Sequence, residues 1–102
     1  MEFELTSENF QTEVLDSSEP VLVDFFAVWC MHCMMMMPII EDIADEDMFK
    51  VGRVNINDSP ELVEKYEIMS VPTLMVFTDG KPAARISGYH TEDEIISFFK
   101  SV

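Results

Sequence analysis

Basic side chains are scarce in this chain: six lysines and arginines stand against 20 acids, for a formal net charge of -14. The acids are spread along the sequence, so the sign belongs to the whole surface and disfavours nucleic acid and anionic membranes as partners. Two readings of that charge stay open, a solubility adaptation and docking on partners with basic surfaces. Three glycines and five prolines are too few for a linker-rich or disordered chain. Cysteine is limited to Cys30 and Cys33 and histidine to His32 and His90, and His90 lies in no ligand-spaced cluster with the others, which argues against zinc. Nowhere do about 18 apolar residues run together. The opening Met1-Glu2-Phe3-Glu4-Leu5-Thr6 has no basic segment, apolar core or small-residue cleavage site of a signal. The expectation is a cytoplasmic chain with no membrane partner.

What is present suits one domain over residues 1–102, with 48% apolar and 25% charged side chains around one core. Phe3 and Leu5 alternate with glutamates as a short strand. Thr6 or Ser7 caps a predicted helix from Glu8 to about Leu15, with Phe10, Val14 and Leu15 on one face. Residues 21–28, rich in valine and phenylalanine, read as a strand buried on both faces at the centre of a sheet. A helix from about Cys30 to Glu46 and a strand from Val51 to Ile56 follow. Asn57-Asp58-Ser59-Pro60 opens a short helix through Tyr66 with proline in its first turn. Thr73–Thr78 and Ala83–Ser87 form a hairpin across Asp79-Gly80. Thr91 and Glu94 make a capping box for a last helix that docks through Ile95, Ile96, Phe98 and Phe99. The order predicts an α/β fold, a mixed sheet of about five strands flanked by four helices.

The informative stretch is Trp29-Cys30-Met31-His32-Cys33, directly after the central strand. Two cysteines three apart lie one helical turn apart, so their sulfurs can join in a disulfide or separate as a dithiol with little backbone motion. A purely stapling role is weak, because so small a loop removes little unfolded-state entropy. Cys30, at the helix N-terminus, is the expected attacking thiol; Cys33, one turn deeper, is the expected resolving one.

With Val-Asp-Phe in the strand before the cysteines, Pro38 five residues beyond the second, Val71-Pro72-Thr73 at the head of a strand, and Gly80 and Gly88 in place, the chain resembles thioredoxin over essentially its whole length. The resemblance implies a thioredoxin fold and disulfide exchange with protein disulfides, without bound cofactor or metal, in a monomer recycled by a thioredoxin reductase-like donor. On pattern alone Asp24 either faces outward or is buried. The resemblance implies a buried acid that exchanges protons with Cys33. Pro72 could simply initiate a strand; the resemblance implies a cis Val71-Pro72 bond facing the cysteines. Trp29, Met31, Val71, Pro72, Gly88 and Tyr89 would then meet an extended substrate.

Departures from the family pattern sharpen the expectation. Met31 and His32 stand where thioredoxins carry glycine and proline, and a histidine before the second cysteine resembles disulfide isomerases and bacterial disulfide oxidases. Either His32 is an exposed helix residue of no consequence, or it stabilises the Cys30 thiolate and raises the reduction potential to roughly -180 to -240 mV. Helical phase places Met34 and Met35 towards the polar side and Met36 and Met37 with Ile40, Ile43 and Ala44. Met34, where the family often has a basic residue, is expected to be exposed and open to sulfoxide formation. The methionines read as core filling plus an adaptable rim; the alternative is a Cu(I)-binding or redox-sensing module using Cys30, His32, Cys33 and Met34. Arg53, where the family often has a lysine near the buried acid, reads as a surface charge.

Overall fold

The computed structural model describes residues 2–102. Its centre is a five-stranded sheet in the order β1-β3-β2-β4-β5, with β1 Glu2–Leu5, β2 Val21–Phe26, β3 Lys50–Asn55, β4 Thr73–Thr78 and β5 Lys81–Ser87. The first three are parallel, and β4 pairs antiparallel with both β2 and β5. Helices α1 Met31–Asp45, α2 Pro60–Lys65 and α3 Glu92–Lys100 complete the fold, with a π-helical turn at Gln11–Leu15. Among the described residues, no helix is long and apolar enough to cross a membrane.

Alternation along the central strand builds two cores. Val21, Val23 and Phe25 point to one face, where they pack with Phe10, Val14, Leu62, Tyr66 and Phe77. Leu22 points to the other, under Met36, Ile40, Ile43 and Ala44 of α1 and Ile95 of α3. Both faces are apolar because both are covered, which is why β2 reads as a continuous run. Each fully buried side chain of this size is worth about 1.5–3 kcal/mol. Phe10, Tyr66 and Phe77 meet at ring centroids 5.1 to 5.6 Å apart, fastening the π-helical turn and α2 to the sheet. On the opposite side Phe49 stacks on Phe99 at 3.8 Å.

Three elements differ in extent by two residues or more from their sequence expectations. The helix expected from Glu8 is a turn followed by the five-residue π-helical segment, because Asn9 binds the preceding strand instead: its Oδ1 accepts from the Thr6 N–H at 2.8 Å and its Nδ2 donates to the Glu4 carbonyl at 2.9 Å. The central strand stops at Phe26, and Val28 and Trp29 leave the sheet for solvent. β5 starts at Lys81, two residues earlier than expected. The hairpin turn has positive φ at Asp79 (54°) and Gly80 (77°), the geometry that Asp-Gly permits. The predicted capping box is present: the Glu94 N–H donates to Thr91 Oγ1 and the Thr91 N–H to Glu94 Oε1.

Candidate active site

The end of β2 positions the first sulfur. After Phe26 the chain turns, the Cys30 N–H donating to the Ala27 carbonyl at 3.2 Å, and Cys30 becomes the N-cap of α1 in an extended conformation. Its Sγ accepts the Cys33 backbone N–H at 3.2 Å, as a serine oxygen would at this position. A sulfur there faces the free N–H groups of the first turn, where negative charge is favoured. Across the site lies the Val71 carbonyl oxygen, 3.6 Å from Cys30 Sγ. The Val71-Pro72 peptide is cis, and the Pro72 carbonyl accepts from the Gly88 N–H at 2.9 Å. Those contacts join the loop before β4 and the end of β5 to the head of α1.

Cys33 lies one turn deeper and is 1% exposed, whereas Cys30 is half-buried; both are free thiols. Burial pushes the Cys33 thiol up to about 12, helped by its hydrogen bond with Cys30 and the charges of Cys30 and Asp24, while a backbone hydrogen bond with Ala27 pulls the other way. Asp24, also 1% exposed, shares the α1 face of the sheet with Leu22, so the buried alternative holds.

Register explains how the acid tolerates that place. Asp24 sits directly opposite Arg53 on β3, and Arg53 Nε approaches Asp24 Oδ2 at 3.4 Å. The guanidinium also lies 4.1 Å over the Phe26 ring. Arg53 is therefore not the surface charge expected from sequence: it is buried and is the cationic partner of Asp24.

Trp29 and Met31, the chain neighbours of Cys30, are exposed, as is Tyr89 next to Gly88; Val71 and Gly88 are partly covered, and Pro72 is buried. Trp29 and Val71 also border a recess of about 140 Å³ with Ile56, Ile68, Met69 and Ser70. Met69, which sequence reasoning missed, is the most exposed large apolar residue of the described chain, at 92%. Its only signal was an apolar residue directly before Ser70-Val71-Pro72. His32 is exposed in the first turn of α1 beside Cys33, and Pro38 stands apart from the cysteines on the exposed side of the helix.

Met36 alone of the four consecutive methionines is fully buried. Met35 is exposed, and Met34 and Met37 are half-buried, lining a cleft of about 430 Å³ with Phe3, Phe26, Val28 and Arg53. Met34 is thus less exposed and Met37 less buried than helical phase alone implied. Among the described residues, no three His, Cys, Asp or Glu side chains gather as metal ligands.

A dithiol with one sulfur at a helix N-terminus and the other buried and feeling the charge of a buried acid is equipped to open and close a disulfide. The family model for thioredoxin matches residues 2–101. The chain is 43% identical to a thioredoxin of Chlorobaculum thiosulfatiphilum over 88 residues, 84% of this chain and 82% of the relative. It is 41% identical to a thioredoxin of Rickettsia bellii over 99 residues, 95% and 94% of the two chains. It is 44% identical to thioredoxin 1 of Synechococcus elongatus over 86 residues, 82% and 80%. With the helix-capping Cys30, the buried Cys33 and the apposed Val71-Pro72 loop, that similarity along nearly the whole sequence makes this chain a member of the thioredoxin family.

Proposed function

We propose that this thiol-disulfide oxidoreductase reduces protein disulfides through Cys30 and Cys33, acting as a cytoplasmic monomer of one domain, residues 1–102, recycled by a thioredoxin reductase-like protein. The observation that carries the reading is the position of Cys30 Sγ, 3.2 Å from the Cys33 N–H and 3.6 Å from the Val71 carbonyl. In the first step the Cys30 thiolate attacks one sulfur of the substrate disulfide; the substrate S–S bond breaks, a mixed disulfide forms, and one substrate thiolate leaves. In the second, Asp24 takes the Cys33 proton as Cys33 attacks Cys30 Sγ, releasing the other substrate thiolate. The substrate gains two electrons and the protein loses two, as a Cys30–Cys33 disulfide.

The substrate docks as an extended segment against the Val71 backbone, over the rim of Trp29, Met31, Gly88 and Tyr89, with Pro72 supporting the loop. Exposed apolar side chains around a half-buried sulfur support that part of the reading. We further propose a couple more oxidising than ordinary thioredoxin, on the support of His32 in the first turn of α1 beside the cysteines. A measured potential at or below about -270 mV overturns that part. The Cu(I) alternative is not favoured, since no set of His, Cys or acidic ligands converges among the described residues.

Insulin reduction with dithiothreitol tests the activity. Catalytic acceleration is expected from the parent chain and none from Cys30→Ser; equal rates with and without the protein refute the function.

A further inference from the structure

We propose that Met31 and Met69 are sites of reversible oxidation to methionine sulfoxide, and that oxygen on them weakens the docking of protein disulfides at Cys30. The inference rests on the docking surface just described.

The chain has nine methionines, and among the described ones exposure spans nearly the full range. Met36 and Met75 are 0% and 1% exposed, whereas Met31 and Met69 are 76% and 92% exposed. They are the two most exposed of the described methionines, and both lie on segments that meet at Cys30. Met31 follows it directly as the first residue of α1. Met69 borders the recess shared by Trp29 and Val71, and the Val71 carbonyl faces Cys30 Sγ. In the disulfide state Cys30 and Cys33 are bonded to each other, so an oxidant reaching the rim meets no thiol. The exposed thioethers are then the soft nucleophiles left.

With hydrogen peroxide as oxidant, a methionine sulfur lone pair attacks one peroxide oxygen; the S–O bond forms, the O–O bond breaks, and water leaves. Sulfur loses two electrons and peroxide gains them, with no net proton taken from the protein. The product is a polar, chiral sulfoxide on a surface whose contribution to docking is apolar. A methionine sulfoxide reductase, using two electrons from a dithiol, restores the thioether.

The test treats the full chain in its disulfide form with hydrogen peroxide, removes the peroxide with catalase, maps added oxygen by peptide mass, and compares insulin with dithiobis(nitrobenzoate), too small to cover the rim. Met31 and Met69 are expected to gain oxygen while Met36 and Met75 do not. The kcat/KM for insulin is expected to fall about tenfold, and that for the small disulfide to stay within about twofold. Each variant is read against its own untreated rate. Met31→Leu/Met69→Leu is expected to be insensitive to peroxide, whereas Met48→Leu, altered beyond the far end of α1, is expected to be as sensitive as the parent. Equal oxidation of buried and exposed methionines, equal losses on both substrates, or equal losses in the parent and the double variant overturns the inference. Untreated protein inactive on insulin refutes the docking reading instead, and the oxygen map then decides the modification by itself.

Discussion

Replacing Asp24 by asparagine is expected to slow the second half of disulfide exchange at neutral pH and to leave it nearly untouched in strong base. The Cys33 thiol is held up to about 12, chiefly by burial. At pH 7 such a thiol is ionised in about one molecule in 100,000, against about one in a hundred for a thiol near 9, a difference of ~4 kcal/mol. In the mixed disulfide the Cys30 contributions to that shift are gone, but burial, the leading cause, and the Asp24 charge remain, so a preformed Cys33 thiolate is still rare and the proton leaves as the new S–S bond forms. Asp24 is the buried carboxylate whose charge Cys33 feels. General-base assistance is typically worth about a hundredfold or more, so Asp24→Asn should lose about a hundredfold at pH 7. Its rate should then climb with pH as solvent base takes over. Removing the carboxylate charge also lets the Cys33 thiol ionise somewhat more easily, so the two profiles converge before reaching about 12. Stopped-flow reaction with excess dithiobis(nitrobenzoate) isolates the step, because the second nitrothiobenzoate is released only when Cys33 attacks. Equal unimolecular rates for parent and variant between about pH 6 and 8 would refute the assignment of Asp24 as base.

Trapping separates the sulfurs: Cys33→Ser is expected to accumulate covalent complexes with protein disulfides on non-reducing gels and Cys30→Ser is not, so equal trapping by both contradicts the roles. Stability of the reduced protein should fall as pH rises from about 9 to 12, since the unfolded thiol loses its proton there while folded Cys33 keeps it. The decline approaches ~1.4 kcal/mol per pH unit across the middle of that window, read as the difference in urea unfolding between reduced parent and Cys33→Ala; parallel curves reject it. Gly52→Ala should cost about 1–3 kcal/mol, because a Cβ there would clash with Leu5 Cδ1 in a filled core; an unchanged denaturation midpoint counts against it.

Local signals carried most of the architecture. Thr91 and Glu94, Asp79-Gly80 and the apolar run of β2 each specify an element locally, and each lies where pattern put it except that β2 ends two residues early, at Phe26. The cysteine site was legible for the same reason, since strand, turn and helix start are consecutive and a three-residue spacing fixes the two sulfurs on one side of α1. What escaped was set by partners distant in sequence. Arg53 looks like any charge on an alternating strand until the parallel register of β2 and β3 sets it opposite Asp24. Met34 and Met37 were assigned by helical phase alone, but their half-buried state is decided by the Phe3, Phe26 and Val28 walls of the cleft they line. Met69 lies 39 residues after Cys30 in sequence, and only the return of the chain before β4 brings its segment beside Trp29.

The Asp24–Arg53 pair divides the labour at the buried end of the site. A guanidinium is not a proton-exchanging group in proteins, so Asp24 is the member of the pair that can exchange one. Arg53 is then a positioning residue: its Nε, 3.4 Å from Oδ2, and its stack on Phe26 hold a charged acid under α1. Removing one partner of a buried pair typically costs about 3–5 kcal/mol, because the other charge loses its compensation. Arg53→Met should therefore lower the unfolding free energy by about 3 kcal/mol. It should also favour the neutral form of Asp24, moving the resolving-step profile towards higher pH. A structural role alone would change the first measurement and not the second. Asp24→Asn combined with Arg53→Met should be more stable than Arg53→Met alone, since no buried carboxylate is then left without its cation. Strict additivity of the two substitutions, with a resolving-step profile unmoved in Arg53→Met, would mean that Arg53 neither compensates nor positions the acid.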